Sequence, residues 1–209
     1  MLRENNARKG FFEHGDFIKL REALPEHLRG FMTFACKTGW RLSEITGLTW
    51  DKVDLKNGVV RLDPGDAKNN EPRTIVVDAE LLEILNRQWK LRGKSGAILP
   101  FVFLNAKGTD RIKQFVKTWK TACKNAQVGK RLFHDFRRSA VRNMVRAGVP
   151  ERVAMTISGH KTRSVFERYN VVSEEDLRHA AQKQADYLES RLGTISGTIV
   201  NLKEKGATR

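Results

Sequence analysis

The sequence predicts an α+β fold, a mostly helical domain carrying one small three-stranded antiparallel sheet. Three observations lead there. Apolar residues recur at helical spacing before residue 39 and again after residue 78. Between those stretches lie three short β-branched runs, 53–55, 59–62 and 74–77, separated by turn residues. The 209 residues, 40 % of them apolar, suffice for one domain or one domain plus a short appendage with a real core; the 30 % of charged residues is somewhat above the usual share, yet aromatic and aliphatic residues are plentiful enough to argue against bulk disorder.

Taken in order, residues 1–12 are polar and basic without periodicity and read as a linker or tether. Helical spacing begins at Asp16, with Phe17, Leu20 and Leu24 on one face. Pro25 suits a helix start, and Leu28, Phe31, Met32 and Ala35 follow until Gly39 stops the run. Ser43 is an N-cap candidate for a short turn over 44–47. The first two strands flank a tight Lys56, Asn57, Gly58 hairpin, and Asp63 to Asp66 opens a longer one. Asp78 caps a helix carrying Leu81, Leu82, Leu85 and Trp89. A loop over 93–100 and an extended piece over 101–103 lead to a helix expected over 110–127, with Ile112, Phe115, Val116 and Trp119 inside. Further helices are expected over 135–147, from Pro150 to the stop at Gly159, and over 163–169. Ser173 to Asp176 resembles a capping box for a last helix to about residue 189, and a mobile tail is expected over 193–209.

Charge narrows the function. Lys and Arg number 39 against 24 Asp and Glu, a formal net charge of +15. A polyanion is the first partner to consider, and nucleic acid outranks an acidic membrane surface. No apolar run is long enough to span a bilayer, and no signal-peptide pattern opens the chain. Cys36 and Cys123 are far apart and form no CxxC pair, which fits a reducing compartment; a cytoplasmic protein is expected. Residues 130–169 concentrate the charge, holding Lys130, Arg131, Arg137, Arg138, Arg142, Arg146, Arg152, Lys161, Arg163 and Arg168 against Asp135, Glu151 and Glu167. Any one of these is most simply a solvated surface charge, but the cluster also holds two histidines and a tyrosine. Arg137 three residues after His134 places both at one helix start, a setting suited to phosphate.

Rival chemistries fail on spacing. Gly93, Lys94 and Ser95 mimic the end of a phosphate-binding loop, yet position 88, where the motif needs Gly, is Gln. No HExxH or GxSxG motif occurs, and the acids are too dispersed for a two-metal nuclease. Phosphate chemistry without metal or nucleotide cofactor is therefore expected.

Five motifs then align. Thr38 to Leu48 reads TGWRLSEITGL; Lys68 lies in the second hairpin; Phe133 to Arg137 reads FHDFR; Ser158 to His160 reads SGH; Tyr169 follows nine residues later. In this order and spacing they resemble the tyrosine site-specific recombinases, a family that includes phage integrases, and the resemblance spans about 11–188. It divides the chain into the 1–12 tether, a catalytic domain over 13–192 and the tail. It implies that Arg41 and Arg137 clamp the scissile phosphate, whose bidentate contacts suit guanidinium forks. By the same resemblance Tyr169 attacks phosphorus to form a 3′-phosphotyrosine, and Lys68 protonates the departing 5′-oxygen. His134 assists proton transfer or holds the phosphate, His160 bonds a phosphate oxygen, and Glu44 orients the first arginine. Lys130, Arg131, Arg138, Arg142, Lys161 and Arg163 are expected on the DNA backbone. No cofactor is implied. The implied partner is double-stranded DNA, engaged as a tetramer and with accessory DNA-bending proteins, the isolated domain being a monomer.

Each of these residues alone has an ordinary explanation: Tyr169 packs, Lys68 is solvated, His160 follows a helix cap, and Arg41 with Glu44 is a surface pair of about 0.5 kcal/mol. Jointly those accidents would have to fall in the family's order. Two departures stand out. Arg138 follows the second arginine where the family often has His, and the N-terminal DNA-gripping domain usual in the family is not among these residues, as in a fragment or an unusually short member. The alternatives are a type IB topoisomerase-like relaxing activity on the same constellation, or a basic DNA-binding module without catalysis.

Overall fold

The computed structural model describes residues 10–65, 72–93, 96, 98–170, 172 and 174–196, with side chains in the last segment as far as Arg191. The chain divides after Asn170 into two compact units.

In the first unit, α1 (His14–Ala23) buries Phe17 and Leu20, and α2 (Glu26–Thr38) starts behind Pro25. Gly39 ends α2 in a left-handed conformation, φ 66°. A Cβ there would stand 3.0 Å from the Ala140 Cβ, so this glycine also allows the close packing of α2 on a later helix that carries much of the site. The next helix, α3, spans Leu42–Thr46, and its N-cap is Arg41 rather than Ser43. The reason is Glu44: its Oε2 accepts the Arg41 backbone N–H at 2.8 Å, so an acid satisfies the helix start that serine was expected to hold.

The sheet is antiparallel in the order β1 (Val53–Asp54), β2 (Val59–Leu62), β3 (Arg73–Val76), with Val60 opposite Ile75 and Leu62 opposite Arg73. Alternation turns Val60, Leu62 and Ile75 to the core, and it turns Arg73 inward with them. Lys68 and its hairpin lie outside the described residues. The Asp78 carboxylate accepts the Leu81 N–H at 2.9 Å and caps α4 (Ala79–Leu91) as expected.

The helix expected from residue 110 begins six residues later, as α5 (Val116–Asn125). Residues before it are extended: Leu104 pairs with Arg111, and the Ile112 N–H donates to Phe103 O at 3.2 Å. That pairing buries Ile112 and Phe115 without a helix, so apolar spacing alone did not reveal the boundary. Helices α6 (Asp135–Arg146), α7 (Glu151–Ser158) and α8 (Arg163–Glu167) follow, with α6 packed on both α2 and α7.

The core is rich in aromatic side chains. Phe31, Phe34, Phe103, Phe115, Trp119 and Phe136 are buried, and their edge-to-face contacts tie α2, α5 and α6 together. Phe12 belongs to it as well. Its ring stacks on Phe136 with centroids 4.6 Å apart, and its N–H donates to Ser139 Oγ at 2.7 Å. Residues 10–12 are therefore docked against α6, a correction to the tether expected over 1–12, and residues 1–9 lie outside the described set. Cys36 and Cys123 are buried and unbridged.

The second unit contains α9 (Glu174–Ser196), which extends past residue 189 and past Gly193, where a mobile tail was expected to start. Its expected cap, Ser173, and residues 197–209 lie outside the described residues. Leu177, Tyr187 and Leu188 on this helix are exposed. Among the described residues no helix is long and apolar enough to cross a membrane.

Candidate active site

Arg137 occupies the first turn of α6 and is 3 % exposed. Its Nη1 donates to Gly39 O at 2.6 Å and also to Ser158 O, and its Nη2 reaches Gly159 O at 3.4 Å. A guanidinium carries five N–H donors. These backbone carbonyls, from the ends of α2 and α7, engage three and hold the plane rigid, leaving the Nε–H and the second Nη2–H for an anion. Burial, with Arg41 close by, lowers the Arg137 pKa to about 10, so it stays charged at neutral pH.

Arg41, a quarter exposed, joins it from the α2–α3 corner. Its Nη1 donates to Glu44 Oε1 at 2.8 Å, and the same oxygen lies 2.5 Å from Arg73 Nη2. Glu44 is thus fully buried between two cations. Burial by itself would raise its pKa, but the Arg41 N–H and the Arg73 and Arg41 guanidiniums outweigh that and hold the carboxyl below its ordinary range. Arg73 closes the hairpin that carries Lys68, and the motifs give it no role of its own. Its Nη1 donates to Ser158 O at 3.2 Å and its guanidinium lies over the Trp40 ring at 5.3 Å. The signal available was its place at the start of a strand, where inward alternation implied a buried charge needing a partner.

Gly159 ends α7 with φ 71°, and a Cβ there would come within 2.3 Å of Arg73 Nη1. This glycine turns His160 back into the site. The His160 Nδ1 is 2.7 Å from Ser158 Oγ, and its ring centroid is 4.7 Å from that of Tyr169. Burial, then Arg137, Arg41 and Arg73, push the His160 pKa down to about 3. His134, the N-cap of α6, places Nε2 3.0 Å from Tyr169 Oη. Its pKa is lowered too, by burial and by Arg137 and Arg138. Tyr169 sits just beyond α8, with the Arg137 and Arg138 guanidiniums each 5.8 Å from its ring. The structure therefore brings together Arg41, Glu44, His134, Arg137, His160 and Tyr169; Lys68 lies outside the described residues. Among the described residues, no group of three His, Cys, Asp or Glu is arranged to hold a metal ion.

The residues expected on a DNA backbone separate. Lys130, Lys161 and Arg163 are exposed, Arg163 bridging Glu151 and Glu167 at 3.3 and 3.2 Å. Arg138 belongs to the tyrosine cluster. Arg142 is buried, paired with Glu13 and lying 4.5 Å from the Phe11 ring, so it secures residues 11–13 to α6 instead of facing outward. Arg131 does similar work, with Asp16 at 3.3 Å and the Phe12 ring at 5.5 Å. Spacing could not separate these two from their exposed neighbours because the Phe11 and Phe12 docking was not foreseen.

The model of the phage integrase family matches residues 13–176. The integrase of Salmonella phage P22 is 24 % identical over 209 residues, covering 97 % of this chain and 53 % of that protein. A XerC-like tyrosine recombinase of Caldanaerobacter subterraneus is 26 % identical, covering 74 % of this chain and 48 % of its own length. The chain thus spans about half the length of these curated relatives. Among solved structures, XerA recombinase superposes with a TM-score of 0.72 at 18 % identity, covering 84 % of this chain and 65 % of that one. The Tn1549 transposon integrase, solved in complex with circular intermediate DNA, gives 0.67 at 16 %, covering 86 % and 67 %. These two likenesses establish the fold.

Proposed function

The chain belongs to the phage integrase family, and from that premise we propose that it cuts and rejoins double-stranded DNA by site-specific recombination. One observation carries the reading: Tyr169 Oη lies 3.0 Å from His134 Nε2, with Arg137, Arg138 and His160 against the same ring. A phenol beside a neutral imidazole has a proton acceptor, and guanidiniums around it can receive a phosphodiester.

In this reading Arg41 and Arg137 bind the non-bridging oxygens, and Tyr169 Oη forms the new bond to phosphorus in line. Its proton passes to His134 Nε2. The P–O5′ bond breaks, and the 5′-oxygen leaves with a proton from Lys68. The product is a 3′-phosphotyrosine, whose phosphodiester energy is conserved, so a 5′-hydroxyl of the partner strand reverses the step without ATP. Lys130, Arg138, Lys161 and Arg163 contact the DNA backbone; Arg142, buried against Glu13, and Arg131, half-buried against Asp16 and Phe12, do not. The working assembly is four protomers on two duplexes, aided by DNA-bending proteins, acting on nucleoid DNA in the cytoplasm.

The test is a nicked suicide duplex carrying the element's own site. Wild type is expected to trap a covalent adduct mapping to Tyr169, and Tyr169→Phe to bind equally but form none. Undiminished adduct in the variant would overturn the assignment.

A further inference from the structure

Proton bookkeeping at the end of α7 carries an inference about His160. Ser158 Oγ lies 2.6 Å from Ala154 O, with Met155 O at 3.4 Å. A carbonyl only accepts, so the single hydroxyl proton of Ser158 points to the helix backbone. Toward His160 Nδ1, 2.7 Å away, the hydroxyl can then only accept. Nδ1 therefore carries the ring proton and Nε2 is bare. That Nε2 is buried and has no hydrogen-bond partner among the described residues.

We propose that Ser158 is a positioning residue that locks His160 in the Nδ1–H tautomer, so that a phosphate oxygen engages Nε2 only together with a proton. A neutral ring in this tautomer presents a lone pair, which repels a phosphate oxygen. Once a solvent proton is added at Nε2, the imidazolium donates on both sides, to Ser158 Oγ and to phosphate. The step is a proton transfer alone: a hydronium or buffer acid gives up its proton, the N–H bond forms at Nε2, and no other bond changes. The groups around the ring explain why it is neutral beforehand. Burial opposes its charge most, and Arg137 from α6, Arg41 ahead of α3, Arg73 from β3 and His134 add to it. Tyr169 lies against the ring without adding charge. An arriving phosphodiester offsets those cations and raises the His160 pKa. Binding is then favoured below the raised value and weakens as pH rises through it.

The tautomer part stands on this chain's geometry alone; the phosphate part rests on the proposed function. Long-range proton–nitrogen NMR of the free protein reads the first. His160 Nδ1 is expected to show a protonated-nitrogen shift and Nε2 a bare-nitrogen shift. Ser158→Ala is expected to move the population toward Nε2–H, and Ser158→Thr, which keeps the hydroxyl, to retain Nδ1–H. A wild-type ring protonated at Nε2 overturns the proposal, and this measurement needs no variant to fold. For the second part, affinity for a random-sequence duplex is measured against pH in a Tyr169→Phe background. It is expected to fall by up to about tenfold per pH unit where His160 titrates, and Ser158→Ala is expected to flatten that slope. Equal slopes overturn the coupling. A protein that binds no duplex at any pH refutes the coupling and the proposed function but leaves the tautomer result standing.

Discussion

Removing the Glu44 carboxylate is the sharpest perturbation of this site. The group has no exposed surface, accepts the Arg41 N–H at 2.8 Å, and shares one oxygen between Arg41 at 2.8 Å and Arg73 at 2.5 Å. Glu44→Ala leaves two guanidiniums facing one another, one of them deeply buried. Breaking a buried pair from one side costs about 3–5 kcal/mol. At about 2–4 °C per kcal/mol for a domain of this size, the melting temperature should fall by roughly 6–20 °C. Thermal unfolding monitored by circular dichroism measures it. The double variant Glu44→Leu with Arg73→Met removes the buried charges together and should recover most of that stability, because an apolar replacement of similar volume is often neutral or better. DNA cleavage by the double variant should nevertheless stay depressed, since Arg41 has lost its anchor. A Glu44→Ala loss below about 1 kcal/mol, the scale of an exposed ion pair, would refute the reasoning. Acid offers an independent check. The folded carboxyl titrates below its ordinary value, so its stabilisation is complete above the unfolded pKa and disappears as pH falls through the lowered one.

Three further outcomes follow from the same geometry. Gly159→Ala should lose about 1–2 kcal/mol from the left-handed backbone alone, and more because its methyl displaces Arg73 from Ser158 O; urea unfolding reads the loss, and an unchanged midpoint would contradict the close approach. Arg137→Lys should slow suicide-substrate cleavage by on the order of 10²-fold or more, because an ammonium cannot hold three carbonyl-directed bonds and a phosphate at once; near wild-type rates would show that the fork is dispensable. Cleavage by wild type should survive EDTA, two guanidiniums serving where other enzymes place metal ions, and strict dependence on added Mg²⁺ would contradict that division of labour.

The parts of the fold legible in the sequence were those where local chemistry and tertiary demand agree. Asp78 caps a helix by its own side chain, Gly39 and Gly159 stop helices because only glycine tolerates the turn, and the β-branched runs pair as a meander. What was hidden depends on partners distant in sequence. The extended stretch before α5 has the apolar spacing of a helix, but its backbone pairs with residues 103–105. Phe11 and Phe12 looked like part of a basic leader until α6 supplied a surface for them. The site shows the same division. Its motifs, read by resemblance, name residues that converge, Lys68 aside, which lies outside the described residues, whereas alternation hints only that Arg73 is buried, its partners Glu44 and Ser158 being 29 positions before it and 85 after it.

Arg73 also changes the charge the site presents. Arg41 and Arg73 pair with the Glu44 carboxylate, the Arg137 guanidinium adds a third positive charge close by, and both histidines are biased toward their neutral forms before a phosphate arrives. Among these groups two positive charges remain, Arg138 beside Tyr169 adds a third, and His160 adds another once a phosphate arrives with its proton. A phosphodiester carries one negative charge; the pentavalent species formed when the tyrosine oxygen adds carries two. A site with this excess of positive charge binds the second state more strongly than the first, and only such a difference accelerates the reaction. Glu44 then acts as more than a strut. Without it the site would carry one more positive charge, hold ground-state DNA more tightly, and place its arginines less well. Glu44→Gln therefore separates electrostatics from packing: with the fold retained, duplex affinity should rise while the cleavage rate falls. A variant that loses affinity and rate in equal proportion would show that Glu44 serves packing alone.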